Sequence, residues 1–518
     1  MKLPKIIGAL LLLFIAATIA NAQTNVPVIK INLNQKAQTI QNFGASGCWF
    51  SEPVGRYWAD SVKERMAELL FSKAVDKKGN LKGIGLSAWR FNIGAGTAEQ
   101  GDSSGIKNAN GRVACFLNAD DTYNWNKEQG YLWFIKKAIA YKIENLIAFV
   151  NSPPVYYTKN GLGYKTNADG HSNLRDDKYG AYANFLATVL AHFEAENIHF
   201  NYISPVNEPQ WKWQDKYGEA TQEGSPYSNP EIYKVVKELD SSLTAKNLSA
   251  KILIPEAGML TYLYSNPKNS LNGDQIIKFW QPGSPLYLGK LKHISNFVAA
   301  HGYFTDDSLK NIISVRKKLG DTAKKYHTEY WQSEYSMLGD GYKEGEKGDR
   351  SAFGCALFLA KLIHYDLTYA NASAWQFWNS WEPGSAVVNT RYYLLALKPS
   401  ADFKSGNFTP TKNLWALGHY SRFIRPGMVR LLLPQINDPD LLVSAFYGDK
   451  KLVLVIINNS TQNKSILLKL PESFKRTAQP YLTTALLTDN MKPCGLVNLK
   501  NNVSLLPRAI YTLVIDKD

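Results

Sequence analysis

The stretch "YANFLATVLAHFEAENIHFNYISPVNEP", Tyr182 to Pro209, decides how the rest of the chain is read. Its first half is a helical pattern, and its second half is a short apolar run that stops at Asn207, Glu208 and Pro209. The same order recurs along the chain. Apolar runs fall at "NFGASG" (Asn42–Gly47), "GLSAWRFNIGAG" (Gly85–Gly96), "NLIAFVNSPP" (Asn145–Pro154) and "FNYISPVNEP" (Phe200–Pro209). They continue at "KILIPEAG" (Lys251–Gly258), "ISNFVAAHGY" (Ile294–Tyr303), "YHTEYWQSEYS" (Tyr326–Ser336) and "ASAWQFWNSW" (Ala372–Trp381). Helical patterns separate most of them. Repeated strand–helix units imply a parallel sheet, and eight fit a closed (β/α)8 TIM barrel over residues 41–420. A doubly wound open sheet is the competitor, but "NIGAG" at 92–96 lacks both the GxGxxG spacing and an acidic follow-up.

After Pro426 the texture changes to β-branched runs such as "LLVSAFYGDKKLVLVIINN", with no helical pattern between them. Residues 421–518 therefore read as a side antiparallel β-sandwich, and the strand-like residues 23–40 join it. The first 22 residues read as a signal peptide: Lys2 and Lys5, then an apolar core, then Ala20-Asn21-Ala22 at the cleavage site. Export to the periplasm, cell surface or medium is the expectation. No later segment offers about 18 uninterrupted apolar residues, so no membrane span is expected.

The formal charge is +15, and +13 once Lys2 and Lys5 leave, but the basic residues are scattered. That is a solvated surface rather than a nucleic-acid footprint. Four cysteines, Cys48, Cys115, Cys355 and Cys494, are too sparse for a disulfide framework, although one bridge is possible. There is no CxxC pair, HExxH, EF-hand loop or GxSxG, so neither a metal, another cofactor nor a serine nucleophile is called for. The 13 Trp and 29 Tyr offer flat apolar faces with a polar edge, which suit sugar rings but also large cores.

In a parallel barrel, functional side chains gather at the C-terminal ends of the strands. Glu208 ends the fourth run, Glu256 the fifth, and Glu334 lies near the end of the seventh. Glycoside hydrolysis needs two carboxyl groups about one bond, and the fourth and seventh strands face each other across an eight-stranded ring. Glu208 and Glu334 are that pair. Asn207 is placed to reach a sugar 2-hydroxyl, and Arg90 to hold Glu334 charged. Trp331, Tyr335 and Ser336 surround Glu334 in sequence, and the Tyr335 and Ser336 hydroxyls would keep it ionised. His301, Tyr303, Asn151, Ser152, Glu256 and Trp381 are further strand-end candidates for a sugar cleft, with Trp375 as its floor. A non-catalytic glycan-binding protein would keep the aromatics and lose a carboxylate; both are present.

Taken in order, "IQNFGASGCWF", "WRFNIGAG", "SPVNEPQW", "AAHGY", "WQSEYS" and "ALGHYSRFIRPG" resemble glycoside hydrolase family 30 from about Gln41 to the C-terminus. The resemblance implies the barrel with a sandwich built from both termini, and retaining hydrolysis of β-linked poly- or oligosaccharides. It implies Glu208 as acid/base and Glu334 as nucleophile, with Arg90, Asn207, His301 and Trp375 in the cleft. Within the family "VNSPPVYYTKNG", "NEPQWKW" and "QEGSPY" look most like the endo-β-1,6-galactanase branch. β-1,6-Glucanase, glucosylceramidase, xylanase and β-fucosidase remain the alternatives, and the oligomeric state is left open.

Overall fold

Parallel strands need a crossover to reach their neighbours, and the helical segments between the apolar runs supply it. In the computed structural model, which describes residues 26–339 and 350–518, the runs close into one barrel. Its strands are β1 (Asn42–Ser46), β2 (Ala88–Asn92), β3 (Asn145–Phe149) and β4 (Tyr202–Ser204). They continue as β5 (Lys251–Ala257), β6 (Ile294–His301), β7 (Glu329–Tyr335) and β8 (Ala374–Phe377). All pairings are parallel, and β8 closes on β1 with Ala374 opposite Asn42. The expected signal peptide and its cleavage point lie outside the described residues.

Alternation along each strand sorts the side chains. Ala88, Ile147, Leu253, Ala299, Trp331 and Ala374 point inward and pack with Tyr202 and Phe297. Trp331 lies over Phe297, ring centroids 4.6 Å apart, and meets Tyr202 at 4.9 Å. This plug fills the barrel below its mouth. The alternate residues, Trp89, Phe91, Tyr330, Trp375 and Phe377 among them, face the helices. The helix Asn229–Ala245 opens with a capping box: the Ser228 hydroxyl accepts from the Glu231 N–H and the Glu231 carboxylate from the Ser228 N–H. Such a cap contributes about 1 kcal/mol.

The side sheets are built from both ends of the chain. The larger runs Lys492–Pro493, Thr477–Thr483, Ala509–Asp516, Lys451–Asn458, Leu441–Gly448, Val429–Leu431, Lys36–Thr39. Against it packs a three-stranded sheet of Val28–Lys30, Lys464–Lys469 and Val503–Leu505. Its Val28–Lys30 pairing is parallel, which departs from the all-antiparallel expectation. The segment "ALGHYSRFIRPG" joins the two bodies. Buried His419 sits between the hydroxyls of Thr512 and Thr483, each 2.8 Å away, and burial pushes its pKa down to about 3. Arg422 donates to the carbonyls of Ser72 and Gly83, at the barrel end opposite the mouth.

Three expectations change. The fourth strand is only Tyr202–Ser204, because Pro205 has no N–H to continue the ladder. Trp381 leaves the barrel and begins a separate small sheet of Trp381–Pro383, Leu395–Pro399 and Gly406–Pro410. No disulfide joins cysteines among the described residues, so the one bridge left possible does not form. No helix of the described residues is long and apolar enough to cross a membrane.

The plug makes a stability prediction. Trp331→Ala should cost about 3–5 kcal/mol, the usual range for emptying a buried tryptophan site. Urea unfolding measures it, and a loss below about 1 kcal/mol would show that the barrel interior does not depend on this ring.

Candidate active site

Continuing the inward alternation toward the mouth places Arg90 on β2, Ser204 on β4 and His301 on β6 in the same ring as Glu256 on β5. Strict alternation would turn either Ser333 or Glu334 away, yet both face inward. The register explains it. Gln332 pairs with Ala300 but Glu334 with His301, and on the other side Gln332 pairs with Trp375 but Tyr335 with Phe377. β7 thus holds one more residue than either neighbour, a bulge that re-aims its side chains. β5 carries another: Pro255 pairs with Ala299 and Ala257 with Ala300, leaving Glu256 as the extra residue.

Glu208 lies four residues beyond β4 with φ +45°, and Glu256 has φ +53°. Left-handed backbone at a non-glycine costs on the order of 1–3 kcal/mol and persists only where the surroundings enforce it. Here the Glu208 N–H donates to the Glu256 carbonyl at 2.8 Å. Gly258 makes room alongside, since a Cβ there would lie 2.8 Å from Glu208 Oε1 and 2.4 Å from Trp211 Nε1.

The charges form one buried network. Arg90 Nη1 donates to Glu334 Oε2 at 2.6 Å, and the Tyr303 hydroxyl donates to Glu334 Oε1 at 2.9 Å. His301 Nδ1 lies 2.9 Å from Glu208 Oε1 and 3.4 Å from Glu334 Oε1, while its Nε2 lies 3.2 Å from Glu256 Oε2. Glu256 also accepts from the hydroxyls of Ser204, at 2.5 Å, and Ser333. Burial alone would lower the His301 pKa. The Glu334 charge and the bonds to Glu208 and Glu256 outweigh it and push the ring up to about 10. Burial would raise Glu256, but the His301 bond and the Arg90 charge prevail and hold it at about 2. For Glu208 burial wins: its pKa is raised despite the His301 bond, and the Glu334 charge adds to the rise.

These directions describe a balance. Two cations, Arg90 and His301, face three carboxyl groups, so the cluster is neutral when one carboxyl keeps its proton. The proton belongs on Glu208. One atom each from Glu208, His301 and Glu334 lie within 4.8 Å of one another, a spacing a metal would also accept. Both ring nitrogens of His301 already face carboxylate oxygens.

Above the network opens a cleft of about 480 Å³. Asn151, Asn207, Glu208, Tyr303 and Glu334 line it as expected from the sequence. Asn207 Nδ2 donates to Asn151 Oδ1, and Asn151 Nδ2 to Asn92 Oδ1, which fixes both amides. Arg90, His301 and Glu256 lie behind the carboxyl pair, buried, where they position it instead of lining the cleft. Trp375 is not the floor: alternation turns it toward the helices, where its Nε1 donates to Asp366 at 2.8 Å. Trp381 is buried against Phe134 and Trp89. Trp331 belongs to the plug. Tyr335 also points outward, its hydroxyl donating to Asp306 at 2.5 Å, and Tyr303 takes the place expected for it. Ser152 is buried and bonds the Pro153 carbonyl.

The sequence reading missed Trp211, Trp213, Gln222, Phe304, Leu338 and Trp378 in the cleft wall. All follow barrel strands in their βα loops. The aromatic pairs in "PQWKW" and "GYF", just past candidate residues, were the available signal.

The balance predicts a pH effect. Removing one anion in Glu256→Gln lets the cluster reach neutrality with Glu208 ionised, so the Glu208 pKa falls. A reaction needing protonated Glu208 declines as pH rises through that pKa, so the alkaline limb of kcat/KM should move to lower pH by about 1–3 units. An unmoved limb would contradict the coupling.

Comparison with known proteins agrees with this fold. Residues 26–386 match the family described as O-glycosyl hydrolase family 30. A curated relative, glucuronoxylanase XynC of Bacillus subtilis, is 23% identical over 404 residues, 75% of this chain and 77% of that protein. The crystal structure of a conserved exported protein from Bacteroides fragilis superimposes with a TM-score of 0.87 at 33% identity, covering 94% of this chain and all of that one. The endo-β1,6-glucanase BT3312 shares the fold with a TM-score of 0.67 at 17% identity, over 95% of this chain and 94% of that one. With the match spanning most of its length, the chain belongs to O-glycosyl hydrolase family 30.

Proposed function

We propose that the chain is an exported, retaining hydrolase of β-linked galactan, an endo-β-1,6-galactanase that trims arabinogalactan side chains. The observation that carries the retaining reading is the closeness of the two carboxyls, with an oxygen of each within 4.8 Å of the other. Retaining enzymes hold the pair about 5–5.5 Å apart, whereas inverting ones need about 6.5–9.5 Å to admit a water. Glu208 gives its proton to the glycosidic oxygen as a Glu334 oxygen bonds to the anomeric carbon and the leaving sugar departs. Glu208, now a carboxylate, takes a proton from water. That water displaces Glu334 from the same face the leaving group left, so the β configuration returns. Arg90 and Tyr303 hold Glu334 during both steps, and Asn207 faces the sugar beside the anomeric carbon.

Two observations support the galactan assignment. The loops that resemble the galactanase branch also build the cleft wall: Asn151, Trp211, Trp213 and Gln222 come from them. And none of the described residues lining the cleft is Lys or Arg. An acidic glycan, such as the one in the name of the Bacillus subtilis relative, would be met by a cation; a neutral one needs none.

The test is digestion of β-1,6-galactan, de-arabinosylated arabinogalactan, β-1,6-glucan and glucuronoxylan, with product chromatography and proton NMR of the first-formed reducing ends. Short β-1,6-galacto-oligosaccharides appearing first as the β anomer are expected. Glu208→Gln should lose about 10²–10⁴-fold in kcat on substrates with a poor leaving group. An α anomer would contradict retention, and release from another glycan alone would replace the substrate.

A further inference from the structure

The loops after β1 and β2 enclose a second cavity of about 480 Å³ on the same face of the barrel. Trp49 and Arg56 wall it from the segment after β1, Asn110 and Arg112 from the loop after β2, and Asn126 and Lys127 from the turn before the helix Gln129–Ala140. None of them lines the catalytic cleft. A tryptophan pair divides the two spaces: Trp378 walls the cleft, Trp49 walls the second cavity, and their rings meet edge-to-face with centroids 5.8 Å apart.

The chemistry of this cavity selects its occupant. Each cation is already matched, Arg56 by Glu52 at 3.2 Å, Arg112 by Asp102 at 2.9 Å and Lys127 by Glu99 at 2.6 Å. An anionic ligand would have to displace one of those carboxylates. What the walls do offer is donors and acceptors side by side with an aromatic ring. The side-chain amides of Asn110 and Asn126 have no protein partner among the described residues. Hydroxyl groups, which donate and accept at once, and the apolar face of a sugar ring match that inventory.

We infer that the second cavity is a remote subsite holding a neutral sugar residue of the same glycan whose scissile bond lies between Glu208 and Glu334. A chain leaving the cleft past Trp378 reaches Trp49 next, so only oligosaccharides long enough to cross the tryptophan pair profit from it. The inference rests on the glycoside hydrolase reading and not on the choice of sugar.

The experiment compares kcat/KM along length series of β-1,6-galacto-, β-1,6-gluco- and β-1,4-xylo-oligosaccharides for the wild-type chain, Asn110→Ala/Asn126→Ala and Asn110→Trp. In the series that is cleaved, both variants should lose about tenfold or more on the long members, the equivalent of one or two hydrogen bonds. The shortest cleaved member, which ends before the cavity, should keep its rate and so report that the variants are folded. Equal losses at every length, or no loss on long chains, overturn the subsite. If the galacto series is inert and another is cleaved, the galactan proposal fails and the subsite is judged on the cleaved series. Cleavage of none overturns both.

Discussion

Two cations buried with three carboxyl groups at the mouth of a barrel constrain everything around them. Taking charges out of water costs several kcal/mol per ion even after relaxation, and only close partners in good geometry recover it. Arg90 and His301 are ion-paired with Glu256 and Glu334, which leaves a single proton to be placed. Glu208 receives it because burial raises its pKa despite the His301 bond, whereas Glu256 is surrounded by donors from His301, Ser204 and Ser333. The same arrangement that makes the cluster tolerable in a folded protein also makes one carboxyl an acid beside a second that is held by donors.

The scaffold is shaped to hold that arrangement. Trp331 and Phe297 close the barrel beneath it, so the charged ring sits on packed side chains. Bulges in β5 and β7 add one residue to each strand and turn extra side chains inward, so that one strand delivers both Ser333 and Glu334. Left-handed backbone at Glu208 and Glu256 is the local cost, and the bond between them fixes it. At the opposite end, Arg422 and His419 fasten the barrel to the side sheets, far from the chemistry. Stability and reactivity thus occupy different ends of the barrel.

Much of this was legible in the sequence, and what was not has a common cause. Short apolar runs between helical patterns are a strong signal, and the rule that function gathers at strand ends led directly to Glu208, Glu334, Arg90 and His301. Which face a residue takes was harder. Trp375 stands one position from inward-facing Ala374 and Gln376, so alternation turns it to the helices, and Trp378 in the following loop walls the cleft instead. Tyr335 turns outward to Asp306, and Tyr303 donates to Glu334 in its place. A bulge resets the alternation by one residue and leaves no mark in composition, so the inward turn of Ser333 and the depth of Glu256 required the paired register to see. The resemblance to family 30 was specific because most of its motifs coincide with strand ends and their loops.

The state of the Glu208 proton is the most direct test. Infrared difference spectroscopy at pH 7, wild type against Glu208→Gln, isolates this carboxyl from the other buried acids. The wild type should show a protonated-carboxyl carbonyl band that the variant lacks. A difference spectrum showing only the loss of a carboxylate band would mean that Glu208 is ionised at rest, and the charge balance described above would be wrong.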